Sequence, residues 1–177
     1  SKYHSLVEEF KKLRYEAYER MGDTESQRIL GREFLIGGKL DCLSEIKALY
    51  GDDEWPAARR EILDILKTND PKGIYPNILA QEGLISELLA YCGDKLSPIV
   101  RYYAYLLPDY EEDVRTILTK HIYASAAAAS ERYAYQNVCG ILELYKELYG
   151  DEAYSIRDEL RGKYSRRPAF KEELGRL

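Results

Sequence analysis

Apolar residues in this chain recur at spacings of three and four, the period of a helix that buries one side. Nowhere do they keep the strict alternation of a half-buried strand. Leu6, Phe10, Leu13, Ala17 and Met21 form one stripe and predict an amphipathic helix over residues 2–21. Thr24-Glu25-Ser26-Gln27 offers a capping box for a second helix reaching Ile36, and Gly37-Gly38 then breaks the pattern. Leu40, Leu43, Ile46 and Tyr50 share a face of the third. Pro56 suits the first turn of a fourth, with Ala58, Ile62 and Ile65 on its buried side. The densest turn signal, Asn69-Asp70-Pro71-Lys72-Gly73, is followed by short helices over 76–82 and 84–92 and another over 97–107, ended by Pro108. Residues 110–129 read as a long helix carrying Val114, Ile117, Leu118 and Ile122, with Ala126 to Ala129 small enough to let a neighbour approach. Ala134, Val138, Ile141, Tyr145 and Leu148 mark the next helix, Ala153, Ile156 and Leu160 the one after, and Pro168 opens a last short one. The fold class is all-α.

Four Gly-Asp dipeptides punctuate these stretches: Gly22-Asp23, Gly51-Asp52, Gly93-Asp94 and Gly150-Asp151. Glycine reaches the left-handed conformation that closes a helix, and aspartate accepts the unpaired N–H groups that open the next. Two of the four share a longer context, Lys47-Ala48-Leu49-Tyr50-Gly51-Asp52-Asp53-Glu54-Trp55 and Lys146-Glu147-Leu148-Tyr149-Gly150-Asp151-Glu152-Ala153-Tyr154, 99 residues apart. Antiparallel helix hairpins reused along one domain, residues 1–177, account for this: an α-solenoid or a close relative with irregular repeats. Leu49, Tyr50, Leu148 and Tyr149 are expected to be substantially buried just before a chain reversal, with positive φ at Gly51 and Gly150.

A length of 177 residues, 45% hydrophobic and 32% charged, suits a folded domain with a sizeable core. No apolar run reaches membrane-spanning length and no signal-peptide pattern opens the chain, so a cytoplasmic location is expected. The first residue is Ser1 rather than methionine, which reads as a processed protein or as a piece of a longer one. A net charge of −5 argues against a dedicated nucleic-acid binder, although residues 151–177 carry seven basic side chains against six acidic. Cys42, Cys92 and Cys139 are dispersed and odd in number, which suits buried thiols better than a disulfide framework. Seventeen tyrosines against three phenylalanines suit rings lying half in a thin core and half in water, or a binding surface.

The segment Tyr164-Ser165-Arg166-Arg167-Pro168-Ala169-Phe170-Lys171-Glu172-Glu173-Leu174 is similar to a recurrent tyrosine, Arg-Arg-Pro-Ala, apolar, Glu-Leu ending. With Leu40 to Trp55 and Arg132-Tyr133 through Leu142, it makes residues 35–177 resemble helical regions found C-terminal to SWIM-type zinc fingers in bacterial, largely uncharacterised proteins. The resemblance implies a TPR-like α-α superhelix accessory to a small zinc module. That module is absent here: SWIM ligands follow Cys-x-Cys and Cys-x-His patterns, and no such pair exists. His4, His121 and the three cysteines lack the close pairing of a structural zinc site, so no metal and no cofactor is expected.

The expected function is a non-enzymatic helical-repeat module that binds a protein partner or the rest of its own chain. Trp55 and the tyrosines Tyr102, Tyr103 and Tyr105 are its candidate contact residues. On residues 97–107, Ile99, Tyr103 and Leu106 fit one face, and Tyr102 and Tyr105 fall off it. The alternative is an accessory domain of a nucleic-acid-binding zinc-finger protein, with Arg161, Lys163, Arg166 and Arg167 touching phosphates. For these four cations a simpler role is also open, namely stabilising the preceding helix terminus and pairing with Glu172 or Glu173. Acid pairs such as Asp52-Asp53 and Glu111-Glu112 stand near helix starts, where capping explains them.

Overall fold

The structure, a computed structural model, describes residues 2–107 and 109–177, with side chains from Leu6 onward. Eleven α-helices and one 3-10 turn account for the regular structure, and among the described residues there is no strand. The chain divides into two compact units, Ser1–Glu82 and Gly83–Leu177, where the sequence suggests one continuous domain.

In the first unit α1 (Lys2–Met21) and α2 (Thr24–Ile36) form a hairpin around Gly22, whose φ is +68°. The cap of α2 is Asp23, not Thr24. Its carboxylate accepts the Ser26 N–H at 3.1 Å, as a short acidic side chain does at this position. The 3-10 turn Leu40–Cys42 leads into α3 (Leu43–Lys47), and both rest on α2. Gly31 makes that approach possible, since a Cβ there would stand 2.9 Å from Ile46 Cγ1. Helix α4 (Trp55–Thr68) also packs on α2, and α5 (Tyr75–Gln81) packs on α4. Asp70 ties down the start of α5 by accepting the N–H groups of Ile74 and Tyr75 at 2.9 and 2.8 Å. The core is Leu30, Phe34, Leu35, Ile46, Ile62, Leu63, Leu66 and Leu79, all buried. Ile65, assigned to the buried side from its spacing, is 45% exposed, and Leu66 takes the inward place.

In the second unit α6 (Ile85–Lys95) and α7 (Ile99–Leu106) pack on each other and on α8 (Glu111–Ala128). Helix α9 (Arg132–Tyr149) lies against α8 and receives α10 (Glu152–Lys163) and α11 (Pro168–Leu174). Val114, Leu118, Ile122, Val138, Leu142, Leu160, Phe170 and Leu174 are buried. Pro108, read as the stop for α7, lies outside the described residues.

The Gly-Asp dipeptides do not share one role. Gly93-Asp94 lies inside α6, because the hydrogen-bonded turns continue to Lys95. The turn that follows is a γ-turn centred on Leu96, φ +60° and ψ −59°, in which Ser97 N–H donates to Lys95 C=O at 2.8 Å. Gly150 does reach positive φ, at +66°, whereas Gly51 does not. Leu49, Tyr50, Leu148 and Tyr149 are each half-buried.

The longer repeat survives in a different form. In one copy Arg28 of α2 lies 4.5 Å over the Tyr50 ring and binds Glu54 at 2.6 Å. In the other, Arg115 of α8 lies 4.6 Å over the Tyr149 ring and binds Glu152 at 3.1 Å. Each clamp joins an arginine of one helix, a tyrosine at or just beyond the end of the next and the glutamate at the start of the one after.

Candidate interaction surface

The stripe of α1 faces away from the protein. Leu6, Phe10, Leu13 and Met21 are 58%, 65%, 62% and 75% exposed, and Ala17 between them is exposed too. What holds α1 to α2 is the opposite side. Tyr15 packs its ring 5.6 Å from that of Phe34, Lys11 pairs with Glu33 at 3.3 Å and Glu8 with Lys39 at 2.6 Å. A periodic apolar stripe marks a face that gains from leaving water, and here no described residue covers it.

The aromatic residues proposed as partner contacts separate into two groups. Trp55 is 5% exposed, its ring against Tyr50 and its Nε1 donating to Glu82 at 2.7 Å. Tyr102 is 4% exposed and shares the inward face of α7 with Ile99 and Leu106. Both are interior residues, which corrects their assignment as contacts. Tyr102 and Tyr103 both stand at spacings of three and four from Ile99 and Leu106, and packing of α7 on α6 and α8 turns Tyr102 inward. Tyr103 is half-buried and Tyr105 is exposed, its ring 6.4 Å from that of Tyr102, with exposed Val100 on the same helix.

The basic C-terminal residues also separate. Arg167 is committed: its guanidinium donates to the Ala126 and Ala129 carbonyl oxygens at 3.1 and 2.8 Å and lies 4.4 Å over the Tyr164 ring. It satisfies carbonyl groups left open at the end of α8, so it is not available to an anion. Arg161, Lys163 and Arg166 are exposed. The partners of Glu172 and Glu173 are Arg132 and Arg176, not this group.

Two charge clusters escaped the sequence reading. The Glu82 side chain is 5% exposed and accepts from Trp55 Nε1, Lys47 Nζ and Arg59. Burial raises its carboxyl pKa, but those three donors prevail and hold it below the usual carboxylate range. An acid just past the C-terminus of a helix, where the dipole disfavours it, is the signal that pointed there. The second cluster is Glu173, equally buried between Arg132 and Arg176.

Burial pushes the Cys92 and Cys139 thiols up to about 11, with Glu173 and Glu143 adding to the effect at Cys139, so both stay protonated at neutral pH. Burial lowers the His121 pKa, and its Nδ1 lies 3.3 Å from Ser125 Oγ. His4 lies outside the described side chains. Among the described residues no three His, Cys, Asp or Glu side chains gather as a metal site, and no helix is long and apolar enough to cross a membrane. No protein-family model, curated protein or solved structure matches the chain.

Proposed function

We propose that the protein is a non-enzymatic, TPR-like helical-repeat module that works by docking a helix on the outer face of α1. The supporting observation is the stripe itself. Four large apolar side chains at spacings of four, three and eight stand clear of the fold along about 22 Å of helix. Solvated helices seldom retain such a seam, because each exposed side chain forgoes its transfer free energy. The likeness to helical regions beside SWIM-type zinc fingers belongs to the same proposal. It rests on residues such as Arg167, Phe170 and Leu174, whose work is structural.

The occupant that fits is α1 of a second copy. The seam carries Glu9 on one edge and Arg14 on the other, so a parallel partner brings acid against base. Two such faces packed together bury on the order of 1,000 Å², the lower bound for a specific interface, so association should be weak. Light scattering across a concentration series should therefore show a reversible monomer–dimer equilibrium. Phe10→Glu with Leu13→Glu should abolish the dimer and leave the thermal midpoint within about 2 °C, since exposed positions contribute little to monomer stability. A strictly monomeric protein up to about 1 mM would exclude a second copy as the occupant.

A further inference from the structure

On a different side of α1 from the stripe, a cavity of about 680 Å³ opens between α1, α2 and the segment around α3. Its volume is in the range of small-molecule sites. Phe34, Tyr15, Ala48 and Leu49 give it an apolar lining. Gln27, only 5% exposed, also lines it, and its side-chain amide makes no hydrogen bond within the described protein. The residue is nearly buried, yet its amide atoms stay open to the cavity rather than sealed in the core, where a ligand can supply the hydrogen bond the protein does not. Gln27 stands three residues before Leu30 and seven before Phe34, a core position where an apolar residue is expected.

The charges around the cavity are unbalanced. Glu16, Glu19 and Glu45 line it and none of them has an ion-pair partner among the described residues, whereas Lys12 is the single unpaired cation. Lys39 also lines the cavity, but its ammonium is bound to Glu8 at 2.6 Å and lies 4.2 Å over the Phe34 ring. Burial first, then the Glu45 carboxylate, raises both the Tyr15 phenol and the Cys42 thiol. Both groups therefore stay neutral, and an incoming cation meets no competing proton transfer. The three carboxylates do not gather tightly enough to hold a metal ion.

We propose that this cavity binds an organic cation, an ammonium or guanidinium group on an apolar stem, with Gln27 Oε1 accepting a hydrogen bond and the carboxylates neutralising the charge. An aromatic and alkyl lining beside three acids without ion-pair partners favours such a ligand over an anion, which Glu16, Glu19 and Glu45 would repel.

Titration calorimetry with two probes tests this. Agmatine represents a free small cation, and N-acetyl-arginine methylamide an arginine side chain presented by a polypeptide. Saturable 1:1 binding of agmatine alone assigns the site to a free amine or guanidine. Comparable binding of both assigns it to a side chain as well. Gln27→Leu and, separately, Glu45→Gln should each weaken binding at least tenfold, the second at an exposed position that leaves the fold intact. Asp64→Asn, at an exposed acid of α4 outside both the cavity and the docking face, should leave binding unchanged. The Phe10→Glu, Leu13→Glu variant should also bind normally, which separates this site from the docking face. Absence of binding by both probes overturns the proposal. So does binding that Asp64→Asn weakens as much as Glu45→Gln, because that would be unspecific attraction to an acidic surface.

Discussion

At single residues the structure sets conformational strain and burial against each other in ways that substitutions can separate. Leu96 holds positive φ with a branched side chain, a conformation that costs about 1–3 kcal/mol. Leu96→Ala and Leu96→Gly both remove the half-buried side chain, but only glycine relieves the backbone. The glycine variant should therefore be the more stable of the two by about 1 kcal/mol in urea unfolding, and an alanine variant of equal stability would contradict the strain. Gly150, with φ +66° and ψ −133°, lies in backbone space that alanine rarely enters. Gly51 is not so constrained, and a Cβ there would meet only the Glu54 carboxylate at 3.6 Å. Gly150→Ala should cost about 1–2 kcal/mol and Gly51→Ala close to nothing. Glu82 adds a pH dependence. Its folded pKa lies below the unfolded value of about 4.3, so its stabilisation is present above that value and is lost as pH falls through the folded pKa. Glu82→Gln should lower stability at pH 7 by about 1–3 kcal/mol and flatten the acid limb of the stability profile. An unchanged acid limb would mean other carboxylates govern it.

Helices were the most legible level of this chain. The 2–21 and 24–36 spans match α1 and α2, and most other boundaries fall within three residues, because an apolar period of 3.6 fixes a helix whatever it packs on. What the period leaves open is the neighbour. Leu6, Phe10 and Leu13 form a stripe as regular as Val114, Leu118 and Ile122, yet one is solvent-facing and the other fully buried. The spacing puts Tyr103 inward in place of Tyr102 for a related reason: on an eight-residue helix with six large apolar or aromatic side chains, several faces fit the pattern equally well, and packing on α6 and α8 decides. The repeated Tyr-Gly-Asp unit was visible, but its arginine was not. Arg28 precedes Tyr50 by 22 residues and Arg115 precedes Tyr149 by 34, so no fixed spacing announces the clamp. The cavity was equally hidden, since Gln27 is conspicuous only once Leu30 and Phe34 are known to be buried.

In both units tyrosine takes half-buried positions where phenylalanine would leave no polar edge to water. Tyr50, Tyr149, Tyr154 and Tyr164 each lie half-buried with a cation over the ring: Arg28, Arg115, Arg157 and Arg167 stand 4.4–4.7 Å from the centroids. Positions that do not exclude water completely suit a ring with one wet edge. Each unit nevertheless has its own buried core, and the second has the larger set of mutually packed helices, α6 to α11. Its 95 residues fall in the size range of independently folding domains. Residues 83–177 expressed alone should therefore show helical circular dichroism and a single cooperative thermal transition. The fragment lacks Trp55, the only tryptophan, so unfolding of the first unit can be followed separately by fluorescence in the full chain. A fragment that is helical but melts without cooperativity would show that the second core depends on residues before Gly83. The two-unit division would then describe geometry but not folding.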